Sequence, residues 1–227
     1  MIPLNLNNNN MKFYSKSIIA ALLFMSILSC RDESLNPVPD WEPGVRAWGR
    51  DNADFVMGDL SKGNTVKFRW ISHDGKITIN KVELYIFFTE TYKDVDGNFP
   101  EVAHLGTYGG GEGGKLFKTL EGGSLPANDV DTEFTVTQTD VYNALKDLEY
   151  DYNGDPQYGK VKVFENPERP IRTAATPFIV DGKTADNFLL SWKLYSTDGK
   201  VYDSFGDGVC AAELPLANCY VIWTVKK

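Results

Sequence analysis

Residues 109–115 read GGGEGGK and fit both G-x-x-x-x-G-K and G-x-G-x-x-G. A phosphate loop needs Ser or Thr after its lysine to hold magnesium, and it needs a strand before and a helix after. Here Leu116 follows the lysine, Glu112 sets a negative charge where phosphate would lie, and neither flanking element is apparent. With eight glycines from Gly106 to Gly123, the segment reads as a mobile surface loop. Acidic clusters at Asp94-Val95-Asp96-Gly97-Asn98, at Asp151 to Asp155, and at Asp203 with Asp207 raise a second possibility. Calcium takes six to eight oxygens, and Asp94, Asp96 and Asn98 would supply three at alternating positions. An EF-hand would need Gly sixth and Glu twelfth, where counting from Asp94 gives Phe99 and Leu105. Asp-Gly and Asn-Gly are also standard turn chemistry, so solvated turns are the favoured reading and no metal is implied. His73 and His104 accompany no G-x-S-x-G elbow or H-E-x-x-H sequence. Nothing singles out a carboxylate pair for glycoside hydrolysis, so no enzyme and no cofactor is expected.

Aromatic residues outside the alternating core pattern offer a different chemistry. Trp41, Trp48, Tyr92, Tyr108, Tyr150, Tyr152 and Tyr158 lie near Asp and Asn residues, and aromatic faces can stack on sugar rings. Tyr108 and Tyr152 are the ligand-binding candidates. The alternative is that these rings cover sheet edges or pack under loops, and it is favoured.

The N-terminus carries an address. Residues 11–16 form a short basic region, and Ser17 to Leu28 is an uncharged apolar run. Twelve residues span about 18 Å as a helix, short of a roughly 30 Å hydrocarbon core, so the run reads as the apolar region of a signal peptide. Met11 is the expected start of translation, with residues 1–10 as leader. Ile27-Leu28-Ser29-Cys30 resembles the lipobox of bacterial lipoproteins. That resemblance makes Cys30 the first residue of the processed chain, carrying palmitate-type acyl chains; the alternative is a plain secretory signal with a chance cysteine. Two or more acyl chains anchor stably where one is marginal. Removing residues 1–29 takes away two lysines and no acid, so the processed chain carries 21 basic and 31 acidic residues, net −10. That balance argues against nucleic acid as a partner and against any general affinity for anionic lipid. Cys210 and Cys219 then remain as an even pair in an oxidising compartment, where a disulfide would close the loop CAAELPLANC. Two buried free thiols are the alternative.

The organisation follows. Residues 1–29 are leader and signal peptide, 30–43 a lipidated cysteine with an acidic, proline-rich tether, and 44–227 one domain. Thr65 to Ser72 alternates, with Val66, Phe68 and Trp70 on one face, and Ile77 to Thr91 places Val82, Leu84, Ile86 and Phe88 together. Phe134 to Thr137 is a short strand. Thr139 would cap a helix carrying Val141, Leu145 and Leu148 at i, i+4 and i+7. Phe188, Leu190, Trp192 and Leu194 alternate before a turn at Thr197-Asp198-Gly199, Lys200 to Phe205 returns as a hairpin partner, and Cys219 to Val225 ends the chain's pattern. Such strands with one short helix predict an all-β fold, an antiparallel β-sandwich of immunoglobulin-like type.

The stretches KVELYIFFTETYKDVDGN, TVTQTDVYNAL and NFLLSWKLYSTDGKVYDS, with Cys30 followed by Asp32-Glu33, resemble surface lipoproteins of Bacteroidota-type bacteria often encoded beside SusC/SusD-type nutrient importers. The resemblance implies an outer-membrane, cell-surface lipoprotein without catalysis, accessory to ligand capture or nutrient uptake. Its partners would be the membrane through the anchor, a SusC/SusD-type transporter, and a glycan. A glycan-binding module and a structural envelope lipoprotein are the alternatives.

Overall fold

The computed structural model describes residues 44–50, 54–72, 74–106, 113–153, 159–203 and 220–227. Two antiparallel sheets dominate them. The smaller joins β1 (Val45–Arg50), β2 (Gly63–Ser72) and β6 (Thr132–Thr137) in the order β1-β2-β6. The larger is built on two long central strands, β3 (Ile79–Thr91) and β10 (Thr184–Ser196), paired antiparallel along nearly their whole length. β4 (Glu101–Ala103) and β5 (Lys115–Glu121) flank β3, while β9 (Val180–Asp181), β12 (Val221–Thr224) and β11 (Val201–Asp203) line the far side of β10. A two-stranded pair, β7 (Glu149–Tyr150) with β8 (Val161–Lys162), stands apart.

Alternation decides which faces meet. Val66, Phe68 and Trp70 of β2 and Val82, Leu84, Ile86 and Phe88 of β3 are buried, as are Phe188, Leu190, Trp192 and Leu194 of β10. All belong to one apolar cluster spanning both sheets, with Phe68 meeting Trp192 edge-on at 5.3 Å between ring centres. Gly49 of β1 allows the close approach: a Cβ there would sit 3.0 Å from both Trp192 and Val221 side chains. The antiparallel, two-sheet architecture is therefore as expected, while the order β1-β2-β6 opposite β11-β10-β3 does not by itself establish immunoglobulin-like connectivity.

The one α-helix among the described residues, α1 (Gln138–Leu145), starts two residues earlier than its sequence suggests. Thr137, not Thr139, is the N-cap. Its Oγ1 accepts from the Asp140 amide at 3.0 Å, and the Asp140 carboxylate accepts from the Thr137 amide at 2.9 Å. Thr139 instead donates its hydroxyl to the Leu60 carbonyl. Val141 and Leu145 are fully buried against the sheets, which a helix this short requires. The segment expected to be a glycine-rich loop is also corrected in part, since Lys115–Glu121 pairs with β3 as β5. Gly114 immediately precedes that strand at φ +73, with Phe87 ring atoms 2.8 and 2.9 Å from where a Cβ would lie.

Candidate functional site

Two carboxylates interrupt the apolar alternation of the central strands. Glu90 continues the inward row of Ile86 and Phe88 on β3, and Asp186 precedes Phe188 in the inward row of β10. The register places them directly opposite each other, both fully buried. Like charges at opposed positions repel, so the fold must supply a cation between them.

It supplies Arg172, itself 2% exposed. Nη1 and Nη2 donate to the two Asp186 oxygens at 2.7 Å each, Nη2 also donates to Glu90 Oε1 at 2.6 Å, and Nη1 to the Pro177 carbonyl at 2.6 Å. The other Glu90 oxygen accepts from His104 Nε2 and from the Tyr152 hydroxyl, both at 2.8 Å. Asp186 also accepts the Ile179 amide at 2.7 Å. Burial alone would raise Glu90, but the His104 hydrogen bond and the Arg172 charge hold it below the usual carboxylate range. Burial pushes Asp186 up against the pull of Arg172. For Tyr152, burial and then the Glu90 charge push the phenol well above its ordinary value. The guanidinium stays charged, because its carboxylate partners outweigh the burial that would lower it.

The cluster fixes a loop. Arg172 lies in the connection from Asn166 to β9, where its amide donates to the Asn166 carbonyl at 2.6 Å. Buried Asn166 closes the turn further, donating to the Arg169 carbonyl and accepting the Glu168 amide. With Arg172 pinned inward, its neighbour Ile171 is 71% exposed. The loop becomes a wall between two clefts at one end of the larger sheet. One, of about 760 Å³, is lined by Met57, Val95, Ile171, Ile179 and Asp181 among others. The second, of about 700 Å³, is lined by Tyr92, Tyr152, Asn153, Asn166 and Pro167. Lys93, Asp94, Val95, Glu168 and Arg169 line both and form the ridge between them.

Tyr152 therefore sits at this end, its hydroxyl engaged by Glu90 and its ring edge-on to Tyr92 and Tyr150 at 4.9 and 5.0 Å. Its ring lines the second cleft. Tyr92 is buried and belongs with the covering rings. His104, stacked on Phe88 at 5.1 Å, is a member of the buried cluster. Asp94 works as a turn former: its carboxylate accepts the Asn98 amide at 2.7 Å and the Asn98 side-chain amide at 3.1 Å, around Gly97 at φ +85. Asp96 is exposed on that turn. Among the described residues no group of three or more His, Cys, Asp or Glu is arranged to hold a metal. Cys30, Cys210, Cys219, Tyr108 and His73 lie outside the described residues. Sequence reading missed Glu90, Asp186 and Arg172. The available signal was an acid at an inward register position in each of two apolar strands. No protein-family model matches the chain, and no curated protein matches it.

Proposed function

We propose that this chain is a non-catalytic outer-membrane lipoprotein, held at the cell surface by acylated Cys30, whose sandwich captures a ligand as an accessory to nutrient uptake. The anchor rests on Ile27-Leu28-Ser29-Cys30 behind an uncharged apolar run. The capture role rests on one structural observation: a buried Glu90–Arg172–Asp186 clamp holds the 166–172 loop as the wall between two clefts. A buried ion cluster gains little stability over apolar packing, and in this reading the cluster serves to fix the conformation of the loop. A SusC/SusD-type importer is the partner of this reading. It is tested by co-purification from detergent-solubilised envelopes, where recovery of importer subunits supports it and recovery of the chain alone contradicts it.

A glycan-binding module is the second reading, favoured by the composition of the second cleft. There the Tyr152 ring offers an apolar face, and Asn153, Lys93, Glu168 and Arg169 offer donors and acceptors for hydroxyl groups. Calorimetric titration with an oligosaccharide panel tests it. Binding weakened at least tenfold by Arg169→Ala or Asn153→Ala supports the module, and turnover of any panel member contradicts both readings.

A further inference from the structure

The outward face of the smaller sheet has a charge opposite to that of the chain as a whole. Among the described residues those pointing away from the core are Arg46, Trp48 and Arg50 on β1, Thr65, Lys67, Arg69 and Ile71 on β2, and Glu133 and Thr135 on β6: four cations to one carboxylate. Register sets Trp48 beside Arg69 and Arg50 beside Lys67. Two guanidinium groups approach the Trp48 ring, Arg46 at 5.9 Å and Arg69 at 5.5 Å from its centre. The acids that answer this charge gather on the far side. Arg69 pairs with Asp131 at 2.7 Å and Asp129 at 3.1 Å, and Lys67 with Glu133 of β6 at 3.1 Å. Among the described residues the face is thus polarised, neutralised toward β6 and cationic along the β1 edge. Among the described residues Arg46 and Arg50 make no ion pair; Arg50 acts on Asp131 only through space, and Arg46 Nε is buried without a hydrogen-bond partner.

We propose that this β1 edge is the surface by which the domain rests on the phospholipid bilayer, with Arg46 and Arg50 meeting headgroup phosphates and Trp48 seated at the interface. The inference rests on the anchored reading, because the anchor determines which strand is near the membrane. Only fourteen residues separate Cys30 from Val45, the first residue of β1. Fully extended they reach at most about 50 Å, and β1 is the strand nearest the anchor along the chain. Arginine bonds phosphate in bidentate fashion, and tryptophan favours the boundary between apolar chains and water. The net negative charge does not oppose this contact at physiological ionic strength. Screening over about 8 Å leaves the local patch, not the remote carboxylates, to set the interaction.

The test uses the processed chain with Cys30→Ser, which carries no acyl group, so membrane contact is read separately from lipidation. Sedimentation with vesicles of equal parts phosphatidylglycerol and phosphatidylcholine should show binding at about 0.15 M salt, where the patch is screened from the remote carboxylates, that fades as salt rises further. Pure phosphatidylcholine vesicles should bind far less. Each basic residue near an anionic surface is worth about fivefold in partitioning, so Arg46→Gln/Arg50→Gln should weaken binding about 25-fold. Arg50→Gln alone, at an exposed position, should weaken it about fivefold and serves if the double variant folds poorly. Lys146→Gln/Lys160→Gln changes net charge equally and should leave binding within about twofold. Quenching by brominated lipid should fall on Trp48→Phe. Absence of binding to phosphatidylglycerol vesicles, or equal loss in the lysine control, overturns the assignment while leaving the anchor untouched. An unmodified Cys30 in envelope protein would remove the anchor while leaving this measurement intact.

Discussion

Replacing Arg172 with methionine keeps an unbranched apolar stem and removes the charged guanidinium, leaving Glu90 and Asp186 buried at opposed positions on β3 and β10. Four hydrogen bonds to Glu90, Asp186 and Pro177 are lost together. Their separate worth cannot be summed, since they act as one unit. Removing one partner of a buried ion pair costs about 3–5 kcal/mol, chiefly from the charge left behind. In a domain of this size that lowers Tm by about 6–20 °C. Urea unfolding followed by fluorescence of buried Trp192 and Trp223 measures it. The pH dependence gives a sharper check. Losing the guanidinium moves both carboxylates up from where they stand in the parent, and a carboxylate moved up makes the variant relatively more stable as pH falls. The gap between the parent and Arg172→Met should therefore narrow on acidification from pH 7 toward pH 5. Adding Asp186→Asn to the variant should recover part of the loss at pH 7. A loss under about 1 kcal/mol, or a gap that does not change with pH, would refute the clamp as the element that fixes the loop.

Glu83 accepts from Lys81 at 2.7 Å and from the Tyr85 and Tyr195 hydroxyls. Burial opposes them, yet the Lys81 and tyrosine bonds together hold its pKa down at about 2. Its contribution is present above about pH 4.5 and lost as pH falls toward 2. With its side chain on the outward face of central strand β3 but only 13% exposed, it amounts to about 1–3 kcal/mol, measured as the stability difference of Glu83→Gln across that window. Thr137→Ala removes the capping-box acceptor and should cost about 1 kcal/mol by chemical denaturation. Gly114→Ala meets both a positive φ and the Phe87 ring, and should cost about 1–3 kcal/mol, with altered near-ultraviolet circular dichroism. We expect Cys210 and Cys219 to be bridged, so reduction should add two hydrogens to the intact mass and lower stability by about 2.5–3 kcal/mol.

Much of the fold was readable because period-two alternation is a direct trace of burial. The inward rows of β2, β3 and β10 lie where Val66, Phe68 and Trp70, Val82 to Phe88, and Phe188 to Leu194 place them. β5 was hidden because its pattern, Lys115–Glu121, adjoins a glycine run, and because as an edge strand it buries only Leu120. The helix start was misplaced by two residues because Thr137 and Thr139 are both competent caps. Only the Asp140 side chain reaching back to the Thr137 amide selects between them. The clamp was illegible for a different reason. Glu90 and Asp186 are 96 positions apart and Arg172 lies in a connection without periodicity, so only strand register brings them together. The turn chemistry of Asp94 to Asn98, by contrast, is local: the Asp94 carboxylate accepts the amides of Asn98 four positions on.

Intact-mass spectrometry of the protein purified from bacterial envelopes bears most directly on the proposed role. The account predicts a chain beginning at Cys30 whose mass exceeds the sequence value by a diacylglyceryl group and an added acyl chain. A chain beginning elsewhere, or one beginning at Cys30 with a free thiol, would contradict it.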